Sequence, residues 1–234
     1  GEQADAGQRV LLPLLRARGE RHIDLLMLSH SDTDHVGGAA SLLAHAEVRA
    51  LSTSLSPEHP LLAGGREHRR CAAGQSWHWD GVVFELLHPL PDDAAARLKP
   101  NALSCVLQVR SRSGRSLLLT GDIEAAQEAA LVARYGRLLR SQVLLVPHHG
   151  SRSSSTEAFV LAVAPGTAVV QAGYRSRFGH PAPQVQARYR DLGVQLLRSD
   201  RCGAWSWAAD GSSRCEREAA ARYWHHRADA DAMR

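Results

Sequence analysis

The segment from Ser29 to Gly38, SHSDTDHVGG, constrains the fold of this chain more than any other part of it. It places four side chains that can bind metal ions within six residues: His30, Asp32, Asp34 and His35. The segment directly follows the apolar run 23–28, which has the composition of a buried strand. A strand end inside a core does not tolerate unpaired imidazoles and carboxylates. We therefore expect a metal site at the carboxyl end of this strand; the alternative is a solvated turn that caps a helix.

The spacing of these residues suggests how one loop could serve two ions. In an extended segment, residues i, i+2 and i+4 point to one side, which would aim His30, Asp32 and Asp34 at a common point. His35 would then point elsewhere and suit a second ion. The set of imidazole nitrogens and carboxylate oxygens excludes thiolate chemistry, and the two carboxylates shift the preference from zinc toward manganese or magnesium.

The composition is that of a globular chain with a mildly basic charge. Of the 234 residues, 44% are hydrophobic, which is enough for a core in one large or two small units. No apolar run approaches the roughly 18 to 20 residues of a transmembrane helix. No signal-peptide pattern is visible, and the start on Gly1 rather than Met suggests a fragment. A formal charge of +4 favours a polyanionic partner, although an arginine-rich genome explains it equally well.

The four cysteines, Cys71, Cys105, Cys202 and Cys215, lie far apart and include no Cys-x-x-Cys pair. A ribbon-type structural zinc site is therefore not expected. Cys202 and Cys215 flank a predicted hairpin and could pair in an oxidising compartment, but we expect buried free thiols. The compartment stays open on this evidence.

Hydrophobic periodicity and turn signals predict mixed sheets with helices outside them. The predicted helices cover 5–18, 36–46, 124–135, 156–164 and 183–192. The predicted strands cover 23–28, 48–52, 77–79, 82–87, 104–110, 116–120, 143–146, 167–171, 194–197, 204–208 and 212–216. We expect one domain over residues 1–216, followed by a polar, frayed tail over 217–234.

Three further predicted strands end in possible ligands. Asp122 follows the strand at 116–120, His148 and His149 follow the strand at 143–146, and His180 lies beyond the strand at 167–171. Each signal is weak by itself, because an Asp after a strand often caps a helix. Together with the first loop they place polar residues at successive strand ends, which is where α/β folds build their sites.

These motifs resemble those of metallo-β-lactamase-fold hydrolases and, more narrowly, of the C-terminal domain of ComEC-type DNA-internalisation competence proteins. The resemblance depends on the first loop, on Asn101-Ala-Leu-Ser104, on Thr-Gly-Asp122, on Pro-His148-His149-Gly-Ser and on Phe-Gly-His180-Pro. It implies an αββα sandwich. Family members begin with strands carrying Asp-Val-Gly-Gln-Gly, which this chain does not contain, so we expect the sandwich to lack its first strands.

The resemblance also implies the site residues. The metal ligands carried over are His30, Asp32, Asp34, His35, Asp122 and His148, with His149 as a ligand or a partner of one. Asp122 corresponds to the acid that bridges two ions. Two positions depart from the family pattern: Asp32 replaces a His, and Asn101 and Ser104 occupy the region where a mid-chain His is expected. One ion is therefore expected to be bound more weakly or more openly.

The function implied is that of a DNA nuclease acting in DNA uptake during natural transformation. Two divalent ions, manganese or zinc, would activate water, with Asp34, Asp122 and His180 as catalytic residues. The expected substrate contacts are Arg175, Arg177, Arg152, Ser104 and Asn101, acting on DNA that is single-stranded. Family members carry an upstream membrane channel region and are membrane-associated, at the outer face of the bacterial inner membrane. The alternatives are a small-molecule metallohydrolase, such as a phosphodiesterase or lactonase, and a non-catalytic nucleic-acid-binding remnant.

Overall fold

The computed structural model describes residues 5–63, 65–94, 98–174, 176 and 178–222. Its strands are β1 (His22–Leu28), β2 (Glu47–Thr53), β3 (Glu67–Arg70), β4 (Ser76–Trp79), β5 (Val82–His88), β6 (Val106–Ser111), β7 (Ser116–Leu119), β8 (Val143–Leu145), β9 (Thr167–Val170), β10 (Gln195–Arg198), β11 (Trp205–Trp207) and β12 (Ser213–Cys215). Its α-helices are α1 (Leu12–Ala17), α2 (Thr33–Val36), α3 (Ala39–His45), α4 (Ala125–Tyr135), α5 (Glu157–Val163), α6 (Pro183–Asp191), α7 (Ser199–Cys202) and α8 (Glu216–Ala219).

The strands form two large sheets and a small hairpin. Sheet A is parallel, with the order β1-β2-β3. Sheet B has seven strands in the order β10-β9-β8-β7-β6-β5-β4, antiparallel from β4 to β7 and parallel from β7 to β10. β11 and β12 pair only with each other. Two of the predicted hairpins and the predicted strand-helix-strand units are thus present in sheet B, and the third predicted hairpin is formed by β11 and β12.

Three hydrophobic clusters define the layers. Helix α3 packs on sheet A through Leu43, which meets Val48 and Leu51. Helices α4, α5 and α6 pack on one face of sheet B, around Leu118 and Leu144. The other face of sheet B carries a cluster that includes strand residues of both sheets: Met27, Phe84, Leu86, Leu107, Val109 and Leu119. This arrangement of helix, sheet, sheet and helix is the predicted αββα sandwich.

Two helices differ from the sequence predictions. The helix expected over 36–46 is shorter and forms α3 (Ala39–His45), while Val36 ends the separate helix α2, and Gly37 and Gly38 lie between the two. A Cβ atom on Gly38 would lie 2.6 Å from the backbone nitrogen of Gly7, so only glycine allows the N-terminal turn to cross here. In the helix expected over 5–18, Gly7–Leu11 form a π-helical segment that runs directly into α1. Pro13, which has no N–H to donate, lies just after this change in the hydrogen-bonding pattern.

The prediction of free thiols is wrong. Cys71 pairs with Cys105, and Cys202 pairs with Cys215. Cys71 follows β3 and Cys105 precedes β6, so this bond joins the two large sheets with its Cα atoms 5.8 Å apart. The residues are 34 positions apart, and only the packing of one sheet on the other brings them together.

The C-terminal residues are partly described. Helix α8 (Glu216–Ala219) includes the first residues of the tail predicted over 217–234, and residues 223–234 lie outside the described part. Among the described helices, none combines the length and the apolar character that a membrane crossing requires.

Candidate metal centre

The loop after β1 does not stay extended. Asp32 has the extended conformation of a helix N-cap, with φ −68° and ψ 145°, and α2 begins at Thr33. The alternation expected of a strand therefore ends there, and Asp34 and His35 both lie in the first turn of α2. The prediction that His35 would point away from Asp34 is wrong, because the two side chains approach each other to 3.7 Å.

Asp122 is the residue on which the donors converge. It follows β7 and is 4% exposed. Its Oδ1 atom lies 3.2 Å from Nε2 of His35. Its Oδ2 atom lies 3.5 Å from Nε2 of His149, 3.8 Å from that of His148 and 3.9 Å from that of His30. One buried carboxylate is thus shared among four imidazoles from two different strand ends.

The first group of donors around Asp122 consists of Asp34, His35 and His149. Nε2 of His149 lies 3.2 Å from Oδ2 of Asp34 and 3.2 Å from Nε2 of His35. Together with Asp122, one ligand atom from each of these residues falls within 4.8 Å of all the others. Two imidazoles and two carboxylates in this space can hold one divalent ion.

The second group consists of His30 and Asp32, with His148 close by. Nε2 of His30 lies 3.7 Å from Oδ2 of Asp32, and it also faces Asp122. His30 is completely buried, and its Nε2 has no hydrogen-bond partner in the described part of the chain. Buried polar atoms are normally paired. An unpaired nitrogen facing two carboxylates fits a metal ion as its missing partner.

Hydroxyl groups fix the orientation of the first-loop imidazoles. The hydroxyl of Ser29 lies 3.1 Å from Nδ1 of His30 and 3.2 Å from Nδ1 of His35. The hydroxyl of Ser104 lies 3.2 Å from Nδ1 of His30 and accepts a hydrogen bond from the backbone N–H of Asp122. Because each Nδ1 has a partner, each Nε2 points toward Asp122.

The other two imidazoles are held in the same way. Nδ1 of His148 lies 3.3 Å from the hydroxyl of Ser153 and 3.2 Å from Oε1 of Glu124, and Nδ1 of His149 lies 3.0 Å from the carbonyl of Gln171. Both histidines have left-handed backbones, with φ 47° and 53°. This conformation is costly for a residue with a side chain, and here it turns two adjacent imidazoles toward one carboxylate.

The pKa shifts follow from burial and from the charges in the site. Burial, reinforced by the neighbouring His35, lowers the pKa of His30 to about 4. Burial alone would lower the pKa of His35 as well, but its hydrogen bond to Asp122 and the surrounding carboxylates raise it overall. Burial alone would raise the pKa of Asp122, but its bond to His35 and the nearby imidazoles lower it overall. His30 is therefore neutral and Asp122 ionised at neutral pH, and metal ligation requires both states.

The other residues predicted as catalytic or substrate-binding are His180, Ser104, Asn101, Arg152, Arg175 and Arg177. The ring of His180 lies 6.1 Å from that of His148, and its Nδ1 is buried without a partner in the described part. Ser104 is completely buried, so it positions ligands instead of contacting a substrate. Asn101 is half-buried and Arg152 is exposed. Arg175 and Arg177 lie outside the described residues.

Four residues that hold the imidazoles were not predicted: Ser29, Glu124, Ser153 and Gln171. Ser29 stands next to His30 and Ser153 follows the His-His pair closely, so sequence proximity was an available signal. Glu124 and Gln171 act through contacts between elements and gave no such signal.

Comparison with known proteins agrees with this geometry. The metallo-beta-lactamase superfamily model matches residues 2–174. The chain is 41% identical over 203 residues to competence protein ComA of Neisseria gonorrhoeae, covering 85% of this chain and 27% of that protein. It is 32% identical over 206 residues to ComE operon protein 3 of Bacillus subtilis, covering 84% and 26%. The predicted resemblance to competence proteins is confirmed, and the chain spans about a quarter of these relatives' length.

A solved structure shows the same fold. CmlA, a diiron β-hydroxylase from Streptomyces venezuelae, superimposes with a TM-score of 0.53 at 14% identity, covering 76% of this chain and 44% of that one. At this identity the likeness concerns the fold alone. With the family model matching most of its length, this chain belongs to the metallo-β-lactamase superfamily.

Proposed function

We propose that this chain is a metal-dependent nuclease that hydrolyses phosphodiester bonds of DNA, single-stranded DNA above all. The observation that carries the proposal is the buried carboxylate of Asp122, shared by two groups of nitrogen and oxygen donors. Asp34, His35 and His149 would hold one divalent ion and His30, Asp32 and His148 the other. The high share of carboxylate favours manganese over zinc as the resident metal.

Each residue has a definite role in this proposal. Divalent ions supply Lewis-acid chemistry that polarises a phosphoryl oxygen and activates water. Asp34 and Asp122 provide the negative charge that such ions need, and Ser29 and Ser104 keep the imidazoles aligned. His180, whose ring lies 6.1 Å from that of His148 and is partly exposed, would hydrogen-bond a phosphate oxygen or the departing oxygen of the cleaved strand.

Exposed aromatic rings beside the centre support single-stranded DNA as the substrate. Phe178 is 67% exposed and its ring is nearly parallel to that of His180, 6.0 Å away. Tyr174 in the same loop is 50% exposed. Unpaired bases stack on such rings, whereas paired bases are not available for stacking. Arg152, Arg175 and Arg177 would bind the phosphates of the strand.

The similarity to competence proteins supports a role in DNA uptake during natural transformation. The chain matches only about a quarter of the length of these proteins. We therefore propose that it acts as part of a longer, membrane-associated protein with an upstream channel region. Two disulfides suit an oxidising compartment. This supports a position at the outer face of the bacterial inner membrane.

The test is cleavage of labelled single- and double-stranded DNA with manganese, with zinc and after chelation. We expect Asp122→Ala to abolish metal-dependent cleavage, by at least about a thousandfold, and to retain most of the DNA affinity. The exposed Asp191 provides a control, and Asp191→Ala should cleave normally.

Other outcomes would replace the proposal. Cleavage of small esters or cyclic diesters but not of DNA would favour a small-molecule metallohydrolase. Metal content and DNA binding without turnover of any diester would favour a non-catalytic remnant. Activity with zinc and none with manganese would contradict the choice of metal.

A further inference from the structure

A polar groove of about 480 Å³ opens beside the metal loop. Ser31 lines it, and this residue stands between His30 and Asp32. Ser54, Ser56, His59 and Arg70 also line it. The hydroxyl of Ser54 donates to the backbone carbonyl of Ser29, 2.7 Å away. The groove is therefore continuous with the loop that carries two of the candidate ligands.

Arg70, the last residue of β3, is the unusual feature of this groove. Its Nε is buried without a hydrogen-bond partner, and its guanidinium forms no ion pair within the described residues. The neighbouring Arg69 differs in both respects, since it is 78% exposed and lies 3.3 Å from Glu67. Glu58 lines the groove too but is exposed and does not pair with Arg70. Arg70 as a whole is half-buried, and a guanidinium with a buried, unpaired Nε and no counter-charge is suited to binding an anion from the groove.

The disulfide between the sheets links the strand end that carries Arg70 to the metal loop. Cys71, which follows Arg70, is bonded to Cys105, which follows Ser104. The backbone N–H of Cys105 donates to the carbonyl of Ser29 at 3.0 Å. The end of β3 is thus covalently joined to the segment that contains Ser104, whose hydroxyl contacts His30.

We propose that this groove binds the nucleotide next to the scissile phosphate, with Arg70 on its phosphate. This inference rests on the proposed nuclease function. It assigns Arg70 a specific contact with the substrate strand, outside the metal centre. Single-stranded DNA supplies the phosphate that the guanidinium of Arg70 requires.

The first test compares Arg70→Ala with the matched control Arg69→Ala. Binding of a fluorescent single strand of about twelve nucleotides is measured by anisotropy in EDTA at several salt concentrations. Removing one charge-assisted contact should weaken binding about ten- to a hundredfold, and the slope of log K against log salt should decrease by about 0.7. Arg69→Ala should leave both nearly unchanged. Unchanged affinity and slope in Arg70→Ala would overturn the proposal.

The second test uses two substrates. Bis(p-nitrophenyl) phosphate has one diester and no neighbouring phosphate, so Arg70→Ala should cleave it within about twofold of the wild type. With the oligonucleotide, kcat/KM should decrease about ten- to a hundredfold, mainly through KM. An equal loss on both substrates would mean that Arg70 acts on the structure of the centre, and the proposal would be wrong.

The outcomes separate this inference from the nuclease function. If the wild type cleaves nothing but Arg70→Ala still binds the strand more weakly than Arg69→Ala does, the groove stands and the nuclease proposal does not. If the wild type does not bind the strand, both proposals are wrong. Should Arg70→Ala not fold, Arg70→Lys replaces it. That variant keeps the charge but not the planar fork, so it should keep the salt slope and lose part of the affinity.

Discussion

Removal of the disulfide between the sheets should lower the stability of the whole domain. The perturbation is the double variant Cys71→Ala/Cys105→Ala. Both cysteines are 2% exposed and belong to the cluster between the two sheets, with Leu86 and Leu107. For a separation of 34 residues, the chain-entropy estimate of the stabilisation is about 4 kcal/mol. At about 2–4 °C per kcal/mol for a chain of this size, Tm should decrease by roughly 8 to 16 °C.

The assay is thermal unfolding by calorimetry, with the second disulfide as control. By the same estimate the bond between Cys202 and Cys215, with a separation of 13 residues, contributes about 3 kcal/mol. It closes the hairpin of β11 and β12, however, which pairs with no other strand in the described part of the chain. Its removal should loosen that hairpin and change the main transition much less. If Cys71→Ala/Cys105→Ala shifts Tm by less than Cys202→Ala/Cys215→Ala, the cross-sheet bond does not stabilise the domain as argued.

Two further predictions concern stability. Ala164 ends α5 in the left-handed conformation, so Ala164→Gly should raise the free energy of unfolding by about 0.5–1 kcal/mol. As a control, glycine at the exposed helical residue Ala158 should lower that free energy by up to about 1 kcal/mol. Denaturant titration measures both changes. The carboxylate of the buried Glu128 accepts hydrogen bonds from the backbone N–H groups of Ser155 and Thr156. Glu128→Ala should therefore cost about 2–4 kcal/mol and Glu128→Gln less, and equal losses would contradict this account. Burial raises the pKa of Glu128, so the folded state binds the proton more tightly than the unfolded state. Its contribution to stability should then decrease as pH rises through that pKa. Glu128→Gln cannot titrate, so its Tm should lack this part of the pH dependence.

Much of the candidate site could be predicted from local sequence. Asp122, His148 and His149 each follow an apolar run, and such runs form strands whose ends meet at one edge of a sheet. The identity of the donors indicated a metal centre, and the loop with His30 indicated where it lies. The positions of these residues at strand ends are confirmed, because they depend on short-range periodicity, which can be read from neighbouring residues; the metal centre itself stays a prediction.

The grouping of the donors could not be predicted in this way. The alternation rule assigned Asp34 to His30, but the chain becomes helical at Thr33 and turns Asp34 toward His149. The conformation after a strand end depends on what the loop packs against, here the loop after β8. Helix formation over these few residues is not encoded by their spacing.

Contacts between the sheets were decided by the tertiary structure alone. Nothing near Cys71 in the sequence identifies Cys105 as its partner, and nothing near Arg70 shows that its guanidinium has no counter-charge. Both facts arise because β3 of one sheet ends opposite the start of β6 of the other. The sequence by itself determined which side chains can bind metal and that they follow strands. The packing of two sheets, which depends on surfaces distant in sequence, determined which of these side chains lie together around Asp122 and which cation, in the described part of the chain, has no counter-charge beside them.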